Sequence, residues 1–232
     1  MKKHNYRNSI VGLITFLIVF FFATGCKYAP LVSLLGTESY YEEKIPAEFD
    51  LSKQIDKKIL VLVDQPAWLG SEVNLRYYLT KALRQNIMIK TKLTPENLIS
   101  YDKLVEFRSS EPNFSSMSPV EIGKAMDANM VLLVLIENYN LNEMAQSGYL
   151  MGDLDSRAIL YDTQTGERLW PKEEASKSIR VGFECETGGF DKAISRLAID
   201  SAFCTTRYFY DCPKARFRIA DDKTRIDWEG WQ

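Results

Sequence analysis

Ile59-Leu60-Val61-Leu62-Val63, set between Lys58 and Asp64, is the stretch on which the fold turns. An unbroken aliphatic run of this kind suits a central strand buried on both faces, in a sheet covered by helices. Met130-Val131-Leu132-Leu133-Val134-Leu135-Ile136 is a second such run and the other expected central strand. Between them, Ser71 can cap a helix whose apolar positions are Val73, Leu75, Tyr78, Leu79, Ala82 and Leu83. Ile87-Met88-Ile89-Lys90-Thr91 reads as another strand. Thr94 and Pro95 open a short helix reaching Ile99, as cap and first position. A polar loop is expected over residues 108–117. Ser118-Pro119 then starts a helix over Val120 to Asp127, with Ile122, Ala125 and Met126 inward. Strands and helices in alternation place the chain in the α/β class.

The second half reads as antiparallel. Tyr149 to Asp162 and Glu167 to Trp170 flank Thr163-Gln164-Thr165-Gly166, a hairpin turn with glycine at a left-handed position. Ser176 to Cys185 alternates, with Ile179, Val181, Phe183 and Cys185 on one face. A long helix follows from Phe190 to Tyr210, with an apolar face through Ile194, Leu197, Ser201, Cys204 and Tyr208, and Pro213 ends it. The expected architecture is α/β (α+β): a mixed sheet of about five to six strands packed by about three to four helices. It carries an antiparallel hairpin in its second half and a long C-terminal helix. The domain is expected over residues 58–213, after a tether over 26–57 and before a charged tail over 214–232.

Composition excludes several function classes. The chain has 29 basic and 31 acidic residues, and no basic stripe with interleaved aromatics, so nothing points to nucleic acid. Its single histidine, His4, lies in the leader described below. The remainder therefore lacks histidine general bases, Ser-His-Asp or Cys-His catalysis and histidine-ligated zinc. The four cysteines, Cys26, Cys185, Cys204 and Cys212, have no metal-binding spacing. No cofactor and no metal site is expected. In a continuous helix Cys204 and Cys212 would stand about 12 Å apart, beyond the roughly 7 Å a disulfide spans. No disulfide within the domain is expected.

The amino-terminal segment places the chain. Lys2, Lys3 and Arg7 precede an apolar run from Ile10 to Ala23, which ends in Ala23-Thr24-Gly25-Cys26. A basic start, a short apolar stretch and small residues make a secretory signal peptide over residues 1–25. Ala-Thr-Gly-Cys resembles the lipobox of bacterial lipoproteins, departing from it only in Ala23, where the family prefers leucine. The resemblance implies cleavage between Gly25 and Cys26, with lipid on the Cys26 thiol. Two or more acyl chains hold a protein stably at a membrane, where one holds it marginally. Lys27 follows the cysteine, where aspartate favours inner-membrane retention in this family. The resemblance therefore implies an outer-membrane anchor facing the periplasm. The rival reading of the apolar run is an uncleaved span, which needs about 20 apolar residues.

The element order resembles a group of periplasmic lipoproteins and envelope-assembly proteins that includes LpoB, CsgG and the amino-terminal domain of TolB. The likeness covers about residues 58–212. It rests on the apolar first strand, the long return helix and the phrase Ala158-Ile159-Leu160-Tyr161-Asp162-Thr163-Gln164-Thr165-Gly166-Glu167-Arg168-Leu169-Trp170. It implies a non-enzymatic role, binding other envelope proteins, and transfers no functional residue beyond Cys26.

Candidate partner-binding residues are Asp64 and Trp68, just after the first strand, and Trp228 and Trp231 in the tail. Ligands of open α/β sheets favour the carboxyl ends of strands, and an exposed tryptophan there can anchor a partner. The plainer reading, favoured from sequence, has Trp68 packing over the sheet edge. Trp228 and Trp231, spaced by acids, either insert into a partner groove or fold back on their own domain. Gly188-Gly189 is expected as a connector rather than a phosphate loop. The pairs Asp153 with Asp155 and Glu184 with Glu186 are expected on solvated strand faces. The leading expectation is a non-catalytic adaptor or assembly factor. A carboxylate-based cell-wall enzyme, or a periplasmic ligand-binding or sensing domain, are the alternatives.

Overall fold

The computed structural model describes residues 43–69, 73–144, 148–186 and 188–221, with backbone alone at 184–186 and 218–221. Gly25, Cys26, Trp228 and Trp231 lie outside the described residues. β1 (Lys44–Ile45) is followed by β2 (Ile59–Asp64), the helices α1 (Leu75–Lys90), α2 (Tyr101–Ser110) and α3 (Pro119–Ala125), then β3 (Met130–Met144). β4 (Tyr149–Asp162), β5 (Arg168–Trp170), β6 (Lys177–Glu186), α4 (Phe190–Thr206), β7 (Cys212–Pro213) and α5 (Lys214–Asp221) complete the order.

β2 and β3 pair in parallel, from Ile59 against Met130 to Asp64 against Leu135. Side chains alternate across a strand. Ile59, Val61, Val63, Leu132 and Val134 therefore enter one apolar cluster, and Leu60, Leu62, Val131 and Leu133 a second on the opposite face. α1 and α4 cover the first face with Leu79, Leu83, Ile194 and Leu197, while Leu104 of α2 and Ile122 of α3 enter the second cluster. β2 is buried on both faces as its composition requires, but it is not central. The sheet runs β2-β3-β4-β5, with β6 also paired to β4, so β2 stands at one end. Its outer edge meets an isolated bridge to Leu98, where Ile99 N donates to Ile59 O at 3.0 Å.

Four expectations need correction. Ile87 to Lys90 is the last turn of α1, and no strand forms there. Leu75, Leu79, Leu83 and Ile87 recur every four residues, so the helix buries them on one stripe and runs on. The first half is therefore one parallel strand pair joined by three helices. The helix starts at Leu75 with Asn74 as its cap, whose Oδ1 accepts from Tyr77 N at 3.2 Å. Pro95–Asn97 is a single 3-10 turn, and the expected polar loop begins as the end of α2, which reaches Ser110. Ser118 caps α3 in a capping box with Glu121, as its sequence suggests.

The tether reading of residues 44–57 is also corrected. Lys44 and Ile45 pair antiparallel with Pro213 and Cys212. Leu51 is 1% exposed in the first cluster. Glu48 accepts a 2.6 Å hydrogen bond from Trp170 Nε1, and Phe49 N donates to Tyr208 O at 3.2 Å. Leu51 and Phe49 thus join the same apolar cluster as Trp170.

The hairpin from Asp162 to Glu167 turns at Gly166, at φ +76° as expected of its position. The long helix unwinds at Arg207–Phe209, and Pro213 lies in β7 with a further helix behind it, so proline is not its stop. Arg207 is buried, stacks on Tyr208 and Phe217, and donates to Phe217 O at 2.7 Å, tying α5 to the domain. Cys204 and Cys212 are buried thiols. Gly123 is required by close approach: a Cβ there would run into Val131 and Thr163.

Two predictions follow from this packing. Leu51→Ala should cost about 2–4 kcal/mol in urea unfolding, as for a buried leucine, where a tether residue would cost almost nothing. Burial pushes the Tyr139 hydroxyl up to about 12. A phenol whose folded value is raised contributes stability below its unfolded value, near about 10, and loses it as pH rises through the folded one. Unfolding midpoints should therefore fall more steeply above pH about 10 in the wild type than in Tyr139→Phe.

Candidate functional site

A groove opens at the carboxyl end of β2. Its apolar compartment, about 700 Å³, is lined by Leu62, Leu133, Leu135, Ile122, Met117, Phe114 and Pro119, with Asp64 and Glu111 among its polar residues. A second compartment of about 640 Å³ lies between the start of α1 and α2, lined by Val73, Asn74, Tyr101, Val105 and Ser109. Gln65, Pro66, Ala67, Arg76 and Arg108 line both, so the two are one continuous depression. Residues of the second cluster, Leu62, Leu133 and Ile122, reach the groove here, where β2 ends at Asp64.

The loop after β2 is pinned from within. Gln65 is buried, and its Nε2 donates to Val73 O at 3.0 Å. Arg76 Nη2 donates to Gln65 O at 2.6 Å. A 3-10 turn over Ala67–Leu69 projects Trp68 outward, 69% exposed. The expectation that Trp68 packs over the sheet edge is therefore corrected: the loop's own hydrogen bonds set its course, and they leave the indole in solvent. Asp64, also exposed, lines the groove beside it.

Sequence reasoning missed the two arginines. Arg108 lies 4.8 Å over the Phe114 ring. Burial, and after it the nearby charge of Arg76, hold the Arg108 guanidinium below its ordinary value, with Tyr101 and Asp64 pulling the other way. Arg76 Nε is shielded from solvent and has no hydrogen-bond partner. A signal was present, because Arg76 sits in the first turn of α1, where the helix dipole disfavours a cation. Tyr101 and Asn74 hydrogen-bond at 3.3 Å, and Tyr77 meets Tyr101 edge-on, closing the far wall.

The other candidates gather elsewhere. Asp155 faces Arg180 across the β4–β6 ladder, 3.4 Å from its Nε, and Asp153 is exposed on the same strand. The side chains of Glu184 and Glu186 are outside the described residues. Gly188 and Gly189, at φ +109° and +88°, join β6 to α4. Among the described residues no cluster of three or more metal-ligating side chains occurs, and no helix is long and apolar enough to cross a membrane.

No protein-family model and no curated protein sequence matches the chain. Among solved structures it is similar to lipoprotein GNA1162 from Neisseria meningitidis, at 14% identity over 61% of this chain and 92% of that one, with a TM-score of 0.39. The LpoB C-terminal domain from Salmonella enterica matches at 19% identity over 59% and 95%, with a TM-score of 0.34. A PelC dodecamer from Paraburkholderia phytofirmans matches at 12% identity over 72% and 97%, with a TM-score of 0.38. Likenesses this distant transfer no residue and no role.

An exposed tryptophan on a self-sufficient loop should be dispensable for folding. Trp68→Ala is expected to shift stability by no more than about 0.5 kcal/mol, whereas Trp170→Ala should cost about 3–5 kcal/mol. Urea unfolding of the two variants checks the contrast.

Proposed function

We propose that the chain is a lipid-anchored lipoprotein of the cell envelope, held through Cys26, that acts as a non-catalytic adaptor for other envelope proteins. The leader and lipobox-like Ala23-Thr24-Gly25-Cys26 support the anchor, and Lys27 supports an outer-membrane position facing the periplasm. One observation carries the binding role: Trp68 stands in solvent on an internally pinned loop, beside a groove whose floor is apolar and whose wall holds two arginines. Interface hot spots are enriched in tryptophan and arginine around apolar pockets.

The carboxylate-enzyme reading has one observation in its favour, since Asp64 and Glu111 line the same compartment. Glu111, however, accepts a 3.1 Å bond from Asn113 N and serves the turn after α2.

A photo-crosslinking amino acid in place of Trp68, in living cells, tests the binding role. The expected result is one identified envelope protein in the crosslink, lost when Arg76→Glu and Arg108→Glu are added. Release of peptidoglycan fragments by the pure protein, abolished by Asp64→Asn or Glu111→Gln, would replace the adaptor with the enzyme. Metabolic labelling with an alkyne fatty acid should mark the wild type and spare Cys26→Ala, and membrane fractionation should place the labelled form in the outer membrane.

A further inference from the structure

We propose that the groove at the end of β2 receives the acidic, tryptophan-bearing segment Asp227-Trp228-Glu229-Gly230-Trp231 of a second copy of this chain. The inference rests on reading the groove as a protein-docking site and names its occupant.

The groove divides by chemistry. The compartment between α1 and α2 is lined by Arg76 and Arg108 and by no carboxylate, while the neighbouring one shares both arginines, adds Asp64 and Glu111, and offers an apolar floor of Leu62, Ile122 and Leu133. Neither guanidinium has an ion pair among the described residues. Arg76 and Arg108 repel one another, Asp64 offsets part of that at Arg108, and neither arginine bonds a carboxylate among the described residues, the stronger kind of hydrogen bond that an incoming acidic side chain would supply. The fitting occupant therefore carries a large apolar side chain flanked by carboxylates. Asp227-Trp228-Glu229 has that order, and Trp231 adds a second aromatic three residues on.

The position of α5 favours a neighbouring molecule over the same one. Phe217 packs against the cluster on the α1 and α4 face of the sheet, whereas the groove's floor belongs to the cluster on the other face. Cys212, just before α5, lies near enough to Lys90 to feel its charge. Lys90 ends α1, and Arg76 begins it, about 21 Å away along the helix. The base of α5 therefore lies toward the end of α1 remote from Arg76, and Phe217 packs on the opposite face of the sheet from the groove's floor. A tail of one copy in the groove of the next is a heterologous contact, so it propagates into rings or open chains rather than closing a two-fold dimer.

Analytical ultracentrifugation of the full lipidated chain in nonionic detergent tests this. The mean mass of the wild type should rise with protein concentration in the micromolar range. The tail variant Trp228→Ala with Trp231→Ala, and the groove variant Arg76→Glu with Arg108→Glu, should each remain single. Mixing the two should restore pairs and nothing larger, because one variant keeps a working groove and the other a working tail. That recovery also shows that both variants are folded. A wild type that stays monomeric throughout, variants that associate like the wild type, or a mixture that fails to pair would overturn the proposal. A monomeric wild type whose Trp68 crosslink to another envelope protein still depends on the arginines would sink the tail alone and leave the docking role standing.

Discussion

The parallel pairing of β2 with β3 is the constraint from which the rest descends. Parallel neighbours cannot be joined by a tight turn, so the chain must leave the sheet and cross back. Here the crossover carries α1, α2 and α3 between Asp64 and Met130. The register sets Ile59 against Met130, and alternation then commits both faces to burial. One face takes α1 from this crossover and α4 from the far end of the chain, and the other takes α2 and α3. The groove belongs to the same geometry, since it opens where β2 stops at Asp64 and is lined by residues of that crossover.

The second constraint is the space beside Trp170. The indole is buried, with Phe209 at 4.8 Å and Tyr208 at 5.4 Å between ring centres. Its N–H needs an acceptor when buried, and Glu48 supplies it from the segment before β2. Lys177 reaches the same carboxylate at 3.4 Å and lies over the Tyr208 ring. One buried donor thus gathers the segment before β2, the hairpin and the end of the long helix. The residues ahead of β2 are structural for that reason.

Much of this was legible. The unbroken runs at Ile59 and Met130 form strands buried on both faces, the first at the end of the sheet and not at its centre; the glycine turn at Gly166, the alternation through Phe183 and the helical stripe from Ile194 to Cys204 form as expected, while Tyr208 falls past the helix. Ile87 to Thr91 misled because a short apolar run has no period of its own; only its phase with Leu75, Leu79 and Leu83 marks it as helix. Glu48 and Phe49 gave no sign, because their partners Trp170 and Tyr208 are more than a hundred residues away. At the groove, Asp64 at the end of β2 lines the depression. The behaviour of Trp68 was not readable, since it depends on bonds from Gln65 and Arg76 that only the fold assembles.

The arginines are the part of the groove that its local packing explains least. Each has a local reason to be there: Arg76 fastens the loop through Gln65 O, and Arg108 covers the Phe114 ring. Those reasons explain the two residues singly and leave their nearness unexplained. Two guanidinium groups in one partly buried depression repel each other, and an uncharged glutamine at either position would remove that repulsion. Asp64 and Glu111 line the same depression, and Asp64 offsets part of that repulsion at Arg108, yet neither carboxylate pairs with an arginine among the described residues, so a depression with an apolar floor also keeps an unsatisfied donor, Arg76 Nε.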